Sequence, residues 1–167
     1  LLAADDAGCL TLARRIATSL SLGTATLARA AKTEKITVDG DKAIELAIPN
    51  DWLLTRQQGP DFDVYTAKRF VKLGEASPIV GVYLGFHPRQ PGANANGEIT
   101  RSEATLFGKK TEWVRWIETA PDGSKWHSAE TLVQLLDIGL SAHVFYSGPA
   151  TYAEEMEAIL ASAKMGP

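Results

Sequence analysis

KITVDGDKAIELAIP (35–49) is the stretch on which the fold reading turns. Residues 35–38 and 43–48 are apolar-rich runs with strand character. Between them Asp39-Gly40-Asp41 supplies the positive φ that a tight hairpin connection needs. Pro49-Asn50-Asp51 then stops the second strand. The same grammar continues outward. A loop at 57–61 leads to a strand at 62–71, in which Phe62, Val64, Thr66 and Lys68 share one face and Tyr65, Ala67 and Arg69 the other. Residues 78–87 form the most apolar run, with Val80, Val82, Leu84 and Phe86 on one face. Gly81 and Gly85 leave a shallow trough on its other face. Strands are expected at 98–107, 111–118, 125–136 and 140–146. The segment 125–136 also suits a helix, but Pro121-Asp122-Gly123 turns straight into it and favours a strand.

Residues 149–164 carry the clearest helical stripe, Tyr152, Met156, Ile159, Leu160 and Ala163. Glu154, Glu155 and Glu157 stand early and Lys164 late, in accord with the helix dipole. The expected class is α+β: a mainly antiparallel β-sheet of six to eight strands flanked by an N-terminal and a C-terminal helix. The domain reading is a helical segment at 1–31 and a single α+β domain at 32–167.

The first 31 residues hold nine alanines and no aromatic residue. Leu10, Ala13, Ile16, Ala17 and Leu20 make one apolar stripe, which predicts an amphipathic helix capped by Asp5 or Asp6. A secretory signal is the competing reading, with Arg14 and Arg15, a diluted apolar run at 16–27, and Ala28-Arg29-Ala30 as a cleavage site. The signal reading points to an exported, periplasmic location rather than a cytoplasmic one.

The whole chain has 167 residues, 17 basic against 20 acidic side chains and a net charge of −3, which argues against nucleic acid as a partner. One cysteine, Cys9, excludes an internal disulfide framework, and no transmembrane run is present. No nucleophile elbow, dinucleotide fingerprint or P-loop occurs, so neither a catalytic motif nor a cofactor is indicated. His87, His127 and His143 lack short ligand spacings, and no metal site is expected.

Three further stretches stand in a suggestive order: AIELAIPNDW (43–52), GPDFDVY (59–65) and HVFYSG (143–148) before a helix containing Ile159-Leu160-Ala161-Ser162. A strand closing on Ile-Pro-x-x-Trp, a strand meander and a last strand feeding a C-terminal helix resembles the PsbP-like α/β sandwich family over 34–165. That family includes photosystem extrinsic proteins, a Ran-binding transport factor and bacterial exported proteins. The resemblance implies an antiparallel sheet with helices on both faces and a non-enzymatic binding or accessory role.

Trp113 and Trp116, three apart in a strand, project to opposite faces. Both are buried if helices cover both faces; otherwise one stands exposed beside Arg101 or Arg115, as binding surfaces often do. The candidate binding residues are Arg101, Trp113, Arg115, Trp116 and His87. The loop 88–97, lacking large apolar residues, is expected to move freely and to form a partner-binding edge with Arg101. The expected partner is another protein. The alternative is a small-ligand carrier or enzyme with a site built from His87, Arg101, Trp113 and Trp116. Trp52 and Trp126 are expected as lids at the core edge.

Overall fold

The computed structural model describes residues 31–136 and 139–166. The helix and signal readings for the N-terminal segment lie outside these residues. The opening hairpin forms as its turn residues dictate. β1 (Ala31–Asp39) and β2 (Lys42–Pro49) pair antiparallel, and Gly40 takes φ +51° at the turn. Alternation along β2 sends Ile44, Leu46 and Ile48 inward, all at 2% exposure or less.

This hairpin does not join the main sheet, which corrects the expectation of one sheet. It forms a small one with β10 (Lys164–Gly166), in the order β1-β2-β10. The main sheet has seven strands: β3 (Trp52–Gln58), β4 (Phe62–Arg69), β5 (Ile79–Gly85), β6 (Ile99–Leu106), β7 (Lys109–Thr119), β8 (Lys125–Gln134) and β9 (Ser141–Pro149). Their spatial order is β3-β4-β5-β9-β8-β7-β6, and every described pairing is antiparallel.

β3 was not expected. Only Trp52 and Leu54 carry an apolar alternation, and 55–58 are polar and exposed, so the stretch carries little strand signal. It forms because Gly59 returns the chain in register, with Thr55 opposite Thr66 and Gln58 opposite Asp63. Trp52 is no lid: at 1% exposure it is among the most deeply buried side chains.

The C-terminal helix is shorter than expected. After a 3₁₀ turn (Ala150–Tyr152), α1 spans Ala153–Ala161. Ser162 ends it: its hydroxyl donates to the Ile159 carbonyl at 2.6 Å and accepts the Ala47 N–H at 2.9 Å, tying the helix end to β2. Lys164 then enters β10 and pairs with Glu45 at 3.3 Å instead of continuing the helix.

Met156, Ile159 and Leu160 face inward from α1. With Ile36, Ile44, Leu46 and Ile48 from the small sheet they cover Ala67, Val80, Val82, Ala129, Ala142 and Val144 of the main sheet. Side chains this deeply buried contribute about 1.5–3 kcal/mol each. A polar clamp seats the helix start. Trp52 Nε1 donates to Glu155 at 3.0 Å, and Arg69 reaches Asp51 at 2.9 Å and Glu155 at 3.4 Å while lying over the Tyr152 ring.

The opposite, outer face has no helix among the described residues, contrary to what the resemblance implies. Aromatic rings and a loop cover it instead. The Gly81 trough is filled by the Phe145 ring, which leaves no space for a Cβ, and the Tyr83 ring lies against Gly85 and stacks on Phe62. No helix is long and apolar enough to cross a membrane among the described residues.

Candidate functional site

β6 and β7 close one end of the main sheet as a wing, from which Leu106 and Trp113 still reach the core. Their register sets Arg115 on the helix face beside Thr100, with Trp113 opposite Ser102. Arg115 Nε donates to Glu157 Oε1 of α1 at 3.2 Å, and Nη1 donates to Ser102 Oγ at 2.5 Å. The guanidinium stands 5.5 Å from the centre of the Trp113 ring. Tyr146, from β9, donates its hydroxyl to the same Glu157 oxygen at 3.0 Å. Burial, followed by the hydrogen bond to Glu157, pushes the Tyr146 phenol up to about 12, so at neutral pH it acts only as a donor there.

Two recesses open on either side of this network. One of about 280 Å³ is lined by Ala104, Trp113, Arg115, Tyr146, Glu157 and Leu160. The other, of about 500 Å³, is bordered by Thr100, Arg115, Ile117, His127 and Glu157. Arg115 keeps 35% of its side chain exposed and Glu157 50%, so the pair is within reach of solvent and of a bound group. An arginine held by a serine and a glutamate beside an aromatic ring is preorganised for a carboxylate.

The outer face holds a second polar group. Glu130 on β8 accepts the Gly92 N–H at 2.7 Å and lies 3.5 Å from His143 Nε2 on β9. Burial raises the Glu130 pKa, but hydrogen bonding to His143 and to the Gly92 amide, with the charges of His143 and Arg89, outweighs it and leaves a net lowering. The loop 88–97 is therefore not the free segment its composition suggests. Gly92 packs against Val114 and its amide is clipped to Glu130, so the loop shields the outer face. The sequence offered no sign of this, because the clip joins residues 38 apart.

The five expected binding residues do not converge. Trp113 and Arg115 share the helix face, with Trp113 lining a recess beside Leu160. Arg101 lies on the outer face opposite Val114, and Trp116, opposite Ile99, is on that face too. Both tryptophans are buried, at 8% and 7% exposure. Trp116 Nε1 donates to Glu118 at 2.7 Å. His87, its side chain 82% exposed, follows β5 and sits 3.9 Å from Asp61, four strands from β6. A pocket combining His87, Arg101, Trp113 and Trp116 is therefore not assembled. Ser102, Tyr146 and Glu157 complete the Arg115 network and were not singled out. Glu157 is one of several early helix acids, and only the packing of α1 on the sheet distinguishes it. Among the described residues no three His, Cys, Asp or Glu side chains gather as metal ligands. No protein-family model matches the chain, and none of the curated protein sequences does.

Proposed function

We propose that the chain is a non-enzymatic binding domain of accessory, PsbP-like type, taking a segment of another protein in the helix-face cleft of the wing. The PsbP-like reading draws on the antiparallel sheet and on β9 running directly into α1. Coverage of the outer face by a loop rather than a helix is a departure from that family.

The observation that carries the binding reading is Arg115, a partly exposed guanidinium set on Trp113 between two open recesses. Its carboxylate partner, Glu157, belongs to the chain itself and is half exposed. A partner bringing its own carboxylate can replace Glu157 without leaving Arg115 unpaired, and an adjoining apolar side chain can enter the recess beside Leu160. Binding is then a near-balanced exchange of ion pairs, with affinity supplied mainly by apolar burial.

The test is a titration of the isotope-labelled chain with a pool of short peptides carrying aromatic and acidic residues, read by amide shifts. Shifts should map to Thr100, Ser102, Arg115 and Glu157 and should disappear in Arg115→Ala. Shifts confined to the outer face, or unchanged in Arg115→Ala, would overturn the reading.

A further inference from the structure

Among the described residues the main sheet ends in two edge strands, β3 and β6, and they treat their charges differently. On β3, Arg56 is committed inward: it holds Asp63 of β4 through two hydrogen bonds of 3.0 and 2.9 Å. On β6, residues 99–103 are all exposed, and Arg101 and Glu103 sit two apart on the outer face. Glu103 lies directly opposite Glu112 of β7, a like-charge cross-strand pair, which is unfavourable. Arg101 meets Glu112 diagonally at 2.6 Å. Glu103 is left with no cation in ion-pair range among the described residues.

We propose that β6 pairs antiparallel with β6 of a second copy of this chain, about a two-fold axis through Ser102 and normal to the sheet. An exposed edge offers a row of backbone N–H and C=O groups to such a strand, and a two-fold contact is self-complementary. In this register Arg101 of each copy faces Glu103 of the other, directly across the strand pair, whereas within its own chain Glu103 has only Lys110 as a diagonal neighbour, outside ion-pair range. Thr100 faces Ala104 and Ile99 faces Thr105, pairs that need no rearrangement.

The charges also select the register. A two-fold axis normal to the sheet keeps like faces together, so alternative registers slide by two positions. One of these sets Arg101 against Arg101, and the other sets Glu103 against Glu103. Edge strands are often guarded by charged side chains that repel any visitor. Here the two signs on one face convert that guard into a match for one partner, the same strand inverted. A single strand pair buries less than the roughly 1,200 Å² of standard stable interfaces, which places the dimer in the weak, micromolar class.

The proposal concerns the strand edge and the outer face, whereas the peptide cleft lies on the helix face, so the two readings fail separately. The experiment is sedimentation equilibrium of the full chain over a range of concentrations, with denaturation midpoints alongside. The wild type should shift from monomer to dimer as concentration rises. Glu103→Arg sets a guanidinium opposite Glu112 within the chain, so the folding midpoint should hold or rise. The same substitution sets that guanidinium against Arg101 of the other copy, and the dimer dissociation constant should rise about tenfold or more. The double variant Arg101→Glu with Glu103→Arg restores opposite charges across the axis and should recover the dimer. A wild type that stays monomeric into the millimolar range, a dimer indifferent to Glu103→Arg, or a double variant that fails to recover would each overturn the proposal.

Discussion

β5 and β6 belong to the same sheet and are of similar length, yet their surroundings are opposite. In β5 every residue is buried or half-buried, whereas in β6 only Ala104 and Leu106 are. β5 has α1 and the small sheet on one face, with Phe145 and Tyr83 lying over its glycines on the other. β6 has β7 along one edge, and only at Ala104 and Leu106 does it reach the core; residues 99–103 stay exposed. Hydrogen bonding in the sheet is equally regular at both places, so the difference lies in the layers above and below. Burial is set by what the connections bring over a strand, and in this chain the covering layers reach β7, where Trp113, Val114 and Trp116 are buried, but stop short of residues 99–103 of β6. Uncovered strands are the ones with side chains left to recognise something else.

The comparison is tested most severely at the helix. Met156 and Leu160 cover the central strands at 0% and 3% exposure, so truncating either to alanine should cost about 2–5 kcal/mol in chemical denaturation. Ile117→Ala, on the wing at 51% exposure, should change stability by no more than about 0.5 kcal/mol. Equal losses at the two places would mean that the wing is as much core as the centre.

The outer face comes next. Gly81→Ala drives a methyl group into the Phe145 ring and should cost about 1–3 kcal/mol. Adding Phe145→Leu should recover part of that loss if the ring is the obstacle. Full additivity in the double-mutant cycle would show that backbone conformation, not the aromatic cover, is what Gly81 serves.

Acid sharpens the account of the loop. The native pKa of Glu130 lies below its ordinary 4.5, so the ionised form is favoured by folding. Its contribution is fully present above about 4.5 and is lost as pH falls through the lowered native value. Glu130→Gln should flatten the stability–pH curve in that acid window, and amide exchange at Gly92 should quicken. An unchanged curve would remove Glu130 as the residue holding the loop.

Alkali gives the smallest effect. With the Tyr146 phenol raised from 10.0 to about 12, its stabilising contribution is complete below 10 and gone once pH passes 12. An ultraviolet titration of the native chain should show Tyr65 and Tyr146 ionising late, Tyr146 the later of the two. Glu157→Gln should bring Tyr146 earlier, because the hydrogen bond and the nearby negative charge both oppose ionisation. A latest tyrosine that ignores Glu157→Gln would break the Arg115–Glu157–Tyr146 network on which the cleft reading stands.

Much of the architecture was legible in local pattern. The Asp-Gly hairpin, the alternation in β4 and β5, the opposite projection of Trp113 and Trp116, and the stripe of Met156, Ile159 and Leu160 follow from backbone geometry, which repeats over a few residues. β3 was not legible, because four of its seven side chains are polar and exposed and its pairing depends on β4. The end of α1 was not legible either, since Ala163 and Lys164 continue the helical pattern, and it is the bonds of Ser162 and the pairing of β10 with β2 that decide otherwise.

The candidate site shows the same division more sharply. Arg115 and Trp113 stood out as residue types suited to binding, and alternation placed them together on one face. Glu157, 42 residues beyond Arg115, comes from α1, and Tyr146 comes from β9, which β8 separates from β7 in the sheet. Local pattern was enough for most of the strands, the helix stripe and the mainly antiparallel class, because these depend on periodicities of two and 3.6 residues. The packing of distant segments sends the first hairpin out of the main sheet, clips the loop 88–97 to Glu130, and leaves residues 99–103 of β6 exposed. Each of these depends on contacts between residues distant along the chain, for which local periodicity carries no signal.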